Sequence, residues 1–110
     1  MSEPRDYDDP RYQVWRRAVY RRDGRCCRFP GCRNRFPLNA HHIRRWADAP
    51  LLRFVLSNGI TLCRRCHQKI QGREEQFAAQ FDGLVGTATR SGEQALLAVL
   101  ALKYGAASDD

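Results

Sequence analysis

The three histidines of the chain, His41, His42 and His67, fall in two short segments that also carry an asparagine turn and a cysteine pair. The first segment reads Ala40-His41-His42-Ile43. The second reads Asn58-Gly59-Ile60-Thr61-Leu62-Cys63-Arg64-Arg65-Cys66-His67. A further thiol group, Cys26-Cys27-Arg28-Phe29-Pro30-Gly31-Cys32, lies upstream. Imidazoles exchange protons near neutral pH and bind divalent ions. Paired thiolates bind zinc. The residue types therefore point to two metal-centred tasks, four sulfurs around one ion and histidines around another.

Cys27-x4-Cys32 and Cys63-x2-Cys66 are two closely spaced ligand pairs some thirty residues apart. Four thiolates in a tetrahedral array are what zinc takes when its task is structural. Cys26 would give a spacing of five, just outside the usual range, and reads as a small buried filler. Two other readings stand beside zinc. Cys63-x2-Cys66 alone is also the spacing of a redox pair, though the β-α-β context for one is missing. All five thiols could also be free of metal. Five is an odd number, and no charged-then-apolar leader opens the chain. The thiols are therefore expected in a reducing compartment, the cytoplasm, where clustered cysteines act as ligands rather than bridges.

Neighbouring residues of a strand point to opposite faces. His41 and His42 thus have different tasks, one toward a metal and the other toward a substrate. His67 follows Cys66 directly, so the sulfur site fixes its position and clamps its helix against the strand of His41.

These residues resemble the HNH endonuclease family, whose core is a ββα-metal motif. The resemblance rests on His41-His42-Ile43, the run from Asn58 to Cys63, Cys66-His67 and the lead-in Arg22-Asp23-Gly24, and it spans about residues 12 to 75. It implies that His42 is a general base and that Asn58 orients it. It further implies that His41 and His67 hold one catalytic divalent ion (Mn²⁺, Mg²⁺, Ni²⁺, Co²⁺ or Zn²⁺) and that Cys27, Cys32, Cys63 and Cys66 hold structural Zn²⁺. Many relatives carry another histidine four residues after the one matching His67; here that position is Gln71. Two imidazole ligands favour softer ions over Mg²⁺. The implied reaction is single-metal hydrolysis of a DNA phosphodiester. The rival reading is a non-catalytic zinc module that binds nucleic acid, which would need the cysteines and arginines but not His42 or Asn58.

The elements that must position these groups suit an α+β fold: a small ββα-metal core with a four-cysteine zinc site, an N-terminal helix and an extra C-terminal helix. Residues 1–9 read as an acidic tail and 10–82 as the nuclease domain. Asp9-Pro10 starts a helix with Asp as N-cap and Pro at the first helical position, and Val14, Trp15, Ala18 and Val19 give it an apolar face. Arg16, Arg17, Arg21 and Arg22 continue around its outer side, and Gly24 stops it. Leu38–Ile43 and Ile60–Leu62 read as two strands able to pair antiparallel, with a long loop between them. A helix follows from Arg64, weakened at Gly72 and ended by Gly83 and Gly86. Residues 91–105 read as a last helix, apolar along Ala95–Leu102, that packs on the domain or pairs two copies of the chain. That run is far too short to span a bilayer.

The net charge of +7 is concentrated. Residues 11–73 hold sixteen Arg and Lys, fifteen of them Arg, against only Asp23 and Asp48. Such a block marks a partner rich in phosphate, DNA first and RNA second. Arg16, Arg17, Arg44, Arg45, Arg64 and Arg65 are the expected backbone contacts.

Overall fold

The structure, a computed structural model, describes residues 6–86. The C-terminal helix expected over 91–105, and the pairing of copies through it, lie outside the described residues. Among the described residues no helix is long and apolar enough to cross a membrane.

Helix α1 runs Pro10–Arg22. The Asp9 carboxylate accepts from the Arg11 backbone N–H at 2.8 Å, satisfying one of the donors a helix start leaves open. Gly24 and Arg25 both take positive φ, +70° and +56°, and turn the chain away after the last turn. Tyr12, Val14, Trp15, Val19 and Tyr20 are buried, so two tyrosines join the apolar face the periodicity marks. Arg22 does not belong to the outer basic side: its side chain is 4% exposed and turns inward onto Asp23.

Strands β1 (Leu38–His42) and β2 (Gly59–Cys63) form an antiparallel pair with His42 opposite Gly59 and His41 opposite Ile60. Directly opposed residues share a face. Ala40, His42, Gly59 and Thr61 therefore lie on one side, which α1 covers. His41, Ile60 and Leu62 lie on the other. Gly59 has a steric reason to be glycine. A Cβ there would come within 2.6 Å of the Trp15 ring and 2.5 Å of Val19. Its absence lets α1 sit flat on the sheet.

Helix α2 spans Arg64–Ile70. The weak point at Gly72 proves to be a break: Gly72 adopts φ +82°, and a separate helix, α3, occupies 74–86 of the described residues. Gly83 does not end that helix but lies within it, on an exposed side where an added Cβ would meet nothing. Burial of Phe81 and Val85 on the opposite side outweighs the cost of about 1 kcal/mol that an interior glycine carries. One core cluster joins Ile43, Ile60, Leu62, Ile70, Phe81 and Val85 with three cysteines. A second joins Tyr12, Trp15, Val19, Ala40 and Leu56. The sheet separates them.

Asp23 ties these layers together. Its side chain is fully buried; it accepts from Arg22 Nε and Nη2 at 2.8 Å each, from Arg28 Nη1 at 2.7 Å and from the Thr61 backbone N–H at 2.8 Å. Arg22 also donates to the carbonyls of Leu56 and Gly59, and Arg28 to that of Leu84. The ion cluster thus joins α1, β2 and α3. Removing one member of a buried charge cluster leaves the others uncompensated. Asp23→Ala is expected to lower unfolding stability by about 3–5 kcal/mol, measured by urea denaturation of the zinc-loaded protein. A loss below about 1 kcal/mol, the usual size for an exposed pair, would show that the cluster is not what joins the layers.

Candidate active site and metal centre

The four sulfurs of Cys27, Cys32, Cys63 and Cys66 lie within 4.8 Å of one another. Zinc–sulfur bonds of about 2.3 Å in a tetrahedron put sulfurs about 3.8 Å apart; Cys32 and Cys63 stand at 3.9 Å. Local structure explains the convergence. The Cys32 N–H donates to the Phe29 carbonyl and Gly31 takes φ +83°, which closes a turn that brings Cys32 back to Cys27. Cys63 ends β2, and Cys66 sits in the first turn of α2. Cys26 stands apart, with its sulfur 3.4 Å from the Asp23 carbonyl.

The electrostatics of the cluster suit a cation. Burial opposes ionisation of Cys63, but the Cys66 backbone N–H, the Asn34 amide and the Cys66 and Cys32 side chains outweigh it and bring that thiol down to about 6. Burial pushes Cys66 up, and Cys27, Cys63 and Cys32 add to the rise. Burial likewise raises Cys27. One negative charge forms readily here and further ones do not. A divalent ion supplies the charge that lets all four ionise together. Donor set, spacing and charge all fit zinc, and the cluster can hold it.

On the far side of the sheet from α1, the rings of His41 and His67 meet edge to face with centroids 5.4 Å apart, backed by Phe81 at 5.8 Å from His41. Two imidazoles on one ion, with metal–nitrogen bonds of about 2.1 Å, have centroids roughly 5 Å apart. The separation of the two rings is thus of the size that a shared divalent ion requires.

His42 occupies the other face. Its ring lies almost parallel to the Trp15 indole, 14° between planes and 4.1 Å between centroids. Tyr12 lies beyond at 6.4 Å, and the Trp46 ring stands edge-on at 5.5 Å. His42 Nε2 is 2.9 Å from the Arg53 carbonyl oxygen. A carbonyl only accepts, so Nε2 carries the hydrogen and Nδ1 holds the lone pair.

Asn58 is buried, and its amide is directed to backbone. Its Oδ1 accepts from the Arg44 N–H at 2.7 Å, and its Nδ2 donates to the carbonyls of Arg44 and Leu52 at 3.1 Å each. The Ile43 N–H donates to the Asn58 carbonyl at 2.8 Å. Asn58 thus closes the loop between the strands, one residue short of the Arg53 carbonyl that His42 bonds.

A cleft of about 890 Å³ runs along β1, lined by all five residues of that strand and by His67, with Tyr12, Arg16 and Tyr20 of α1 on one wall and Arg45, Trp46 and Glu74 among the others. All three histidines line it, although His41 and His42 are each under 7% exposed. The six arginines marked from the sequence are all exposed, but only Arg16 and Arg45 line the cleft. Arg16 is held by its Nε bond to the Tyr20 hydroxyl at 3.2 Å, which also raises its pKa. Arg44 and Arg45 pair with Asp82 and Asp48 at 2.8 Å; pairs this exposed yield readily to a phosphate. Trp15, Tyr12, Trp46, Arg53 and Glu74 belong to the surroundings of the site, yet nothing in local sequence marks them. The Trp15 Nε1 bond to Val55 spans forty residues.

No curated protein and no solved structure matches the chain significantly. The model of a family described as HNH endonuclease matches residues 25–73, a stretch that contains β1, β2, α2, all three histidines, Asn58 and the cysteine cluster. The match associates this stretch with nuclease-type chemistry on nucleic acid, and the four sulfurs fit the zinc-binding branch; over residues 25–73 the chain is therefore similar to the HNH endonuclease family.

Proposed function

We propose that the protein is a metal-dependent endonuclease that hydrolyses DNA phosphodiester bonds, with His42 as general base, His41 and His67 as ligands of one catalytic divalent ion, and zinc on the four cysteines. The observation that supports this best is the sharing of one cleft: the neighbouring rings of His41 and His67, and His42 with its Nε2 on the Arg53 carbonyl, all line it.

In this reading His42 Nδ1 takes the proton of an attacking water, the water oxygen bonds to phosphorus, and the bond from phosphorus to the 3′ oxygen breaks. The products are a 5′ phosphate and a 3′ hydroxyl. A divalent ion on His41 and His67 would supply Lewis-acid polarisation of the phosphate and charge stabilisation of the departing oxygen. As His42 gains its proton, the Arg53 carbonyl stabilises the imidazolium through the Nε2–H bond. Asn58 acts at one remove, by fixing the loop that presents this carbonyl. Arg16 and Arg45 meet neighbouring phosphates, and Arg17, Arg44, Arg64 and Arg65 extend the basic surface. Binding then weakens steeply with added salt.

The test is a supercoiled plasmid incubated with the protein and Mn²⁺, Mg²⁺ or Ni²⁺, with and without chelator. Nicking that depends on the added ion is the expected result. Salt-sensitive retention of DNA with no nicking under any ion would replace the nuclease by a zinc-stabilised binding module.

A further inference from the structure

Helix α1 lies outside the segment matched to the family, yet it supplies the ring against which His42 lies. We propose that Trp15 is a positioning residue for His42: the indole sets the plane of the imidazole, and the loop over Arg53–Val55 sets which of its edges meets that loop. The inference rests on the reading of His42 as the base.

The two constraints are complementary. Stacking at 14° and 4.1 Å fixes the plane of the imidazole but not a half-turn within that plane. The Nε2 bond to the Arg53 carbonyl fixes the half-turn but, as one hydrogen bond, leaves the plane free to tilt. Only together do they define where Nδ1 points. Trp15 is itself immobilised. It is fully buried, it fits into the space left by the missing Gly59 side chain, and its Nε1 donates to the Val55 carbonyl at 2.9 Å. The carbonyls of Arg53 and Val55 thus hold the two stacked rings from one short stretch of loop. The edge-on Trp46 ring closes a third side of His42. A general base must hold its proton-accepting atom within a few tenths of an ångström of its water, and a misplacement of about 1 Å costs about 10²-fold in rate.

Three variants and one spectrum test this. Trp15→Leu removes the stacking plane, Trp15→Phe keeps a flat ring, and Val19→Ala loosens the same helix and core without touching His42. Zinc content and far-UV circular dichroism establish folding. The expected result in the nicking assay is a kcat lower by about 10²-fold for Trp15→Leu with KM little changed. Trp15→Phe is expected to restore most of the loss and Val19→Ala to remain near wild type. In the NMR spectrum of the wild-type protein, the His42 ring protons are expected upfield of ordinary imidazole positions through the indole ring current. They should stay upfield in Trp15→Phe. The inference is overturned if Trp15→Leu retains the kcat of Val19→Ala, or if Trp15→Phe loses as much as Trp15→Leu. Should Trp15→Leu not fold, unshifted His42 protons in the wild type would overturn it alone. Normal nicking by a His42 variant would instead remove the base assignment, and the ring-current shift would still report the stack. The two failures are therefore distinguishable.

Discussion

His42→Ala is expected to lower metal-dependent nicking of supercoiled plasmid by about two to four powers of ten, the range typical for loss of a positioned base. Zinc content and retention of DNA should be unchanged, because neither the cysteine cluster nor the exposed arginines touch this ring. Burial complicates the alanine variant: the imidazole fills space between Trp15 and Trp46, and its truncation leaves a cavity. His42→Phe answers this, since it keeps an aromatic ring on the indole and removes only the nitrogens. Both variants are expected to be equally inactive in turnover while differing in stability, with the phenylalanine variant the more stable. Loss of His41 should look different. His41→Ala is expected to weaken divalent-ion binding, so part of its activity should return at higher Mn²⁺, whereas no ion concentration should rescue His42→Phe. Near-normal nicking by either His42 variant, measured on folded and zinc-loaded protein, would remove His42 from the role of base.

Local signals account for much of the frame. Asp9-Pro10 marks the start of α1, the β-branched run Ile60–Thr61 marks β2, and the cysteine spacings mark a cluster that the turn at Gly31 and the start of α2 assemble. Alternation along β1 separates His41 from His42 before any coordinates are needed, because it follows from strand geometry alone. What escapes is long-range. Helical periodicity places Arg22 on a basic face, yet Asp23, Leu56 and Gly59 draw it inside, and partners more than thirty residues away leave no periodic trace. The stack of Trp15 on His42 escapes for the same reason: a tryptophan on an apolar helix face reads as core, and here it is core and also the ring on which His42 lies. From sequence, Asn58 reads as a turn residue that orients the expected base. Its amide bonds instead to the backbone of Arg44 and Leu52, beside the loop whose Arg53 carbonyl meets His42.

Removal of zinc should have the other large effect, on folding. Cys27, Cys63 and Cys66 are members of the same core cluster as Ile60, Leu62, Ile70 and Phe81, so the sulfur site is part of the packing between sheet and helices. Without an ion, ionising Cys63 leaves a negative charge beside Cys27 and Cys66, whose thiols burial holds protonated. At free zinc about 1,000-fold above its dissociation constant, binding to the folded state alone stabilises by about 4 kcal/mol. That is a large share of the 5–15 kcal/mol, roughly, that a domain has in total. A chelator strong enough to strip the cysteines should therefore turn a cooperative thermal transition into a broad one and expose Trp15 to solvent, seen as a red shift in the summed fluorescence of Trp15 and Trp46. Elemental analysis should find at least one zinc per chain in the wild type and one equivalent fewer in Cys66→Ser. His67 follows Cys66 on α2, and α2 holds it against His41. Nicking should thus be lost along with zinc and not return on adding Mn²⁺ alone, while a weak chelator that spares the sulfurs should give inhibition that Mn²⁺ reverses. Zinc-free protein with an unchanged melting transition, or zinc undiminished in Cys66→Ser, would show that the four sulfurs do not hold the ion that holds the fold.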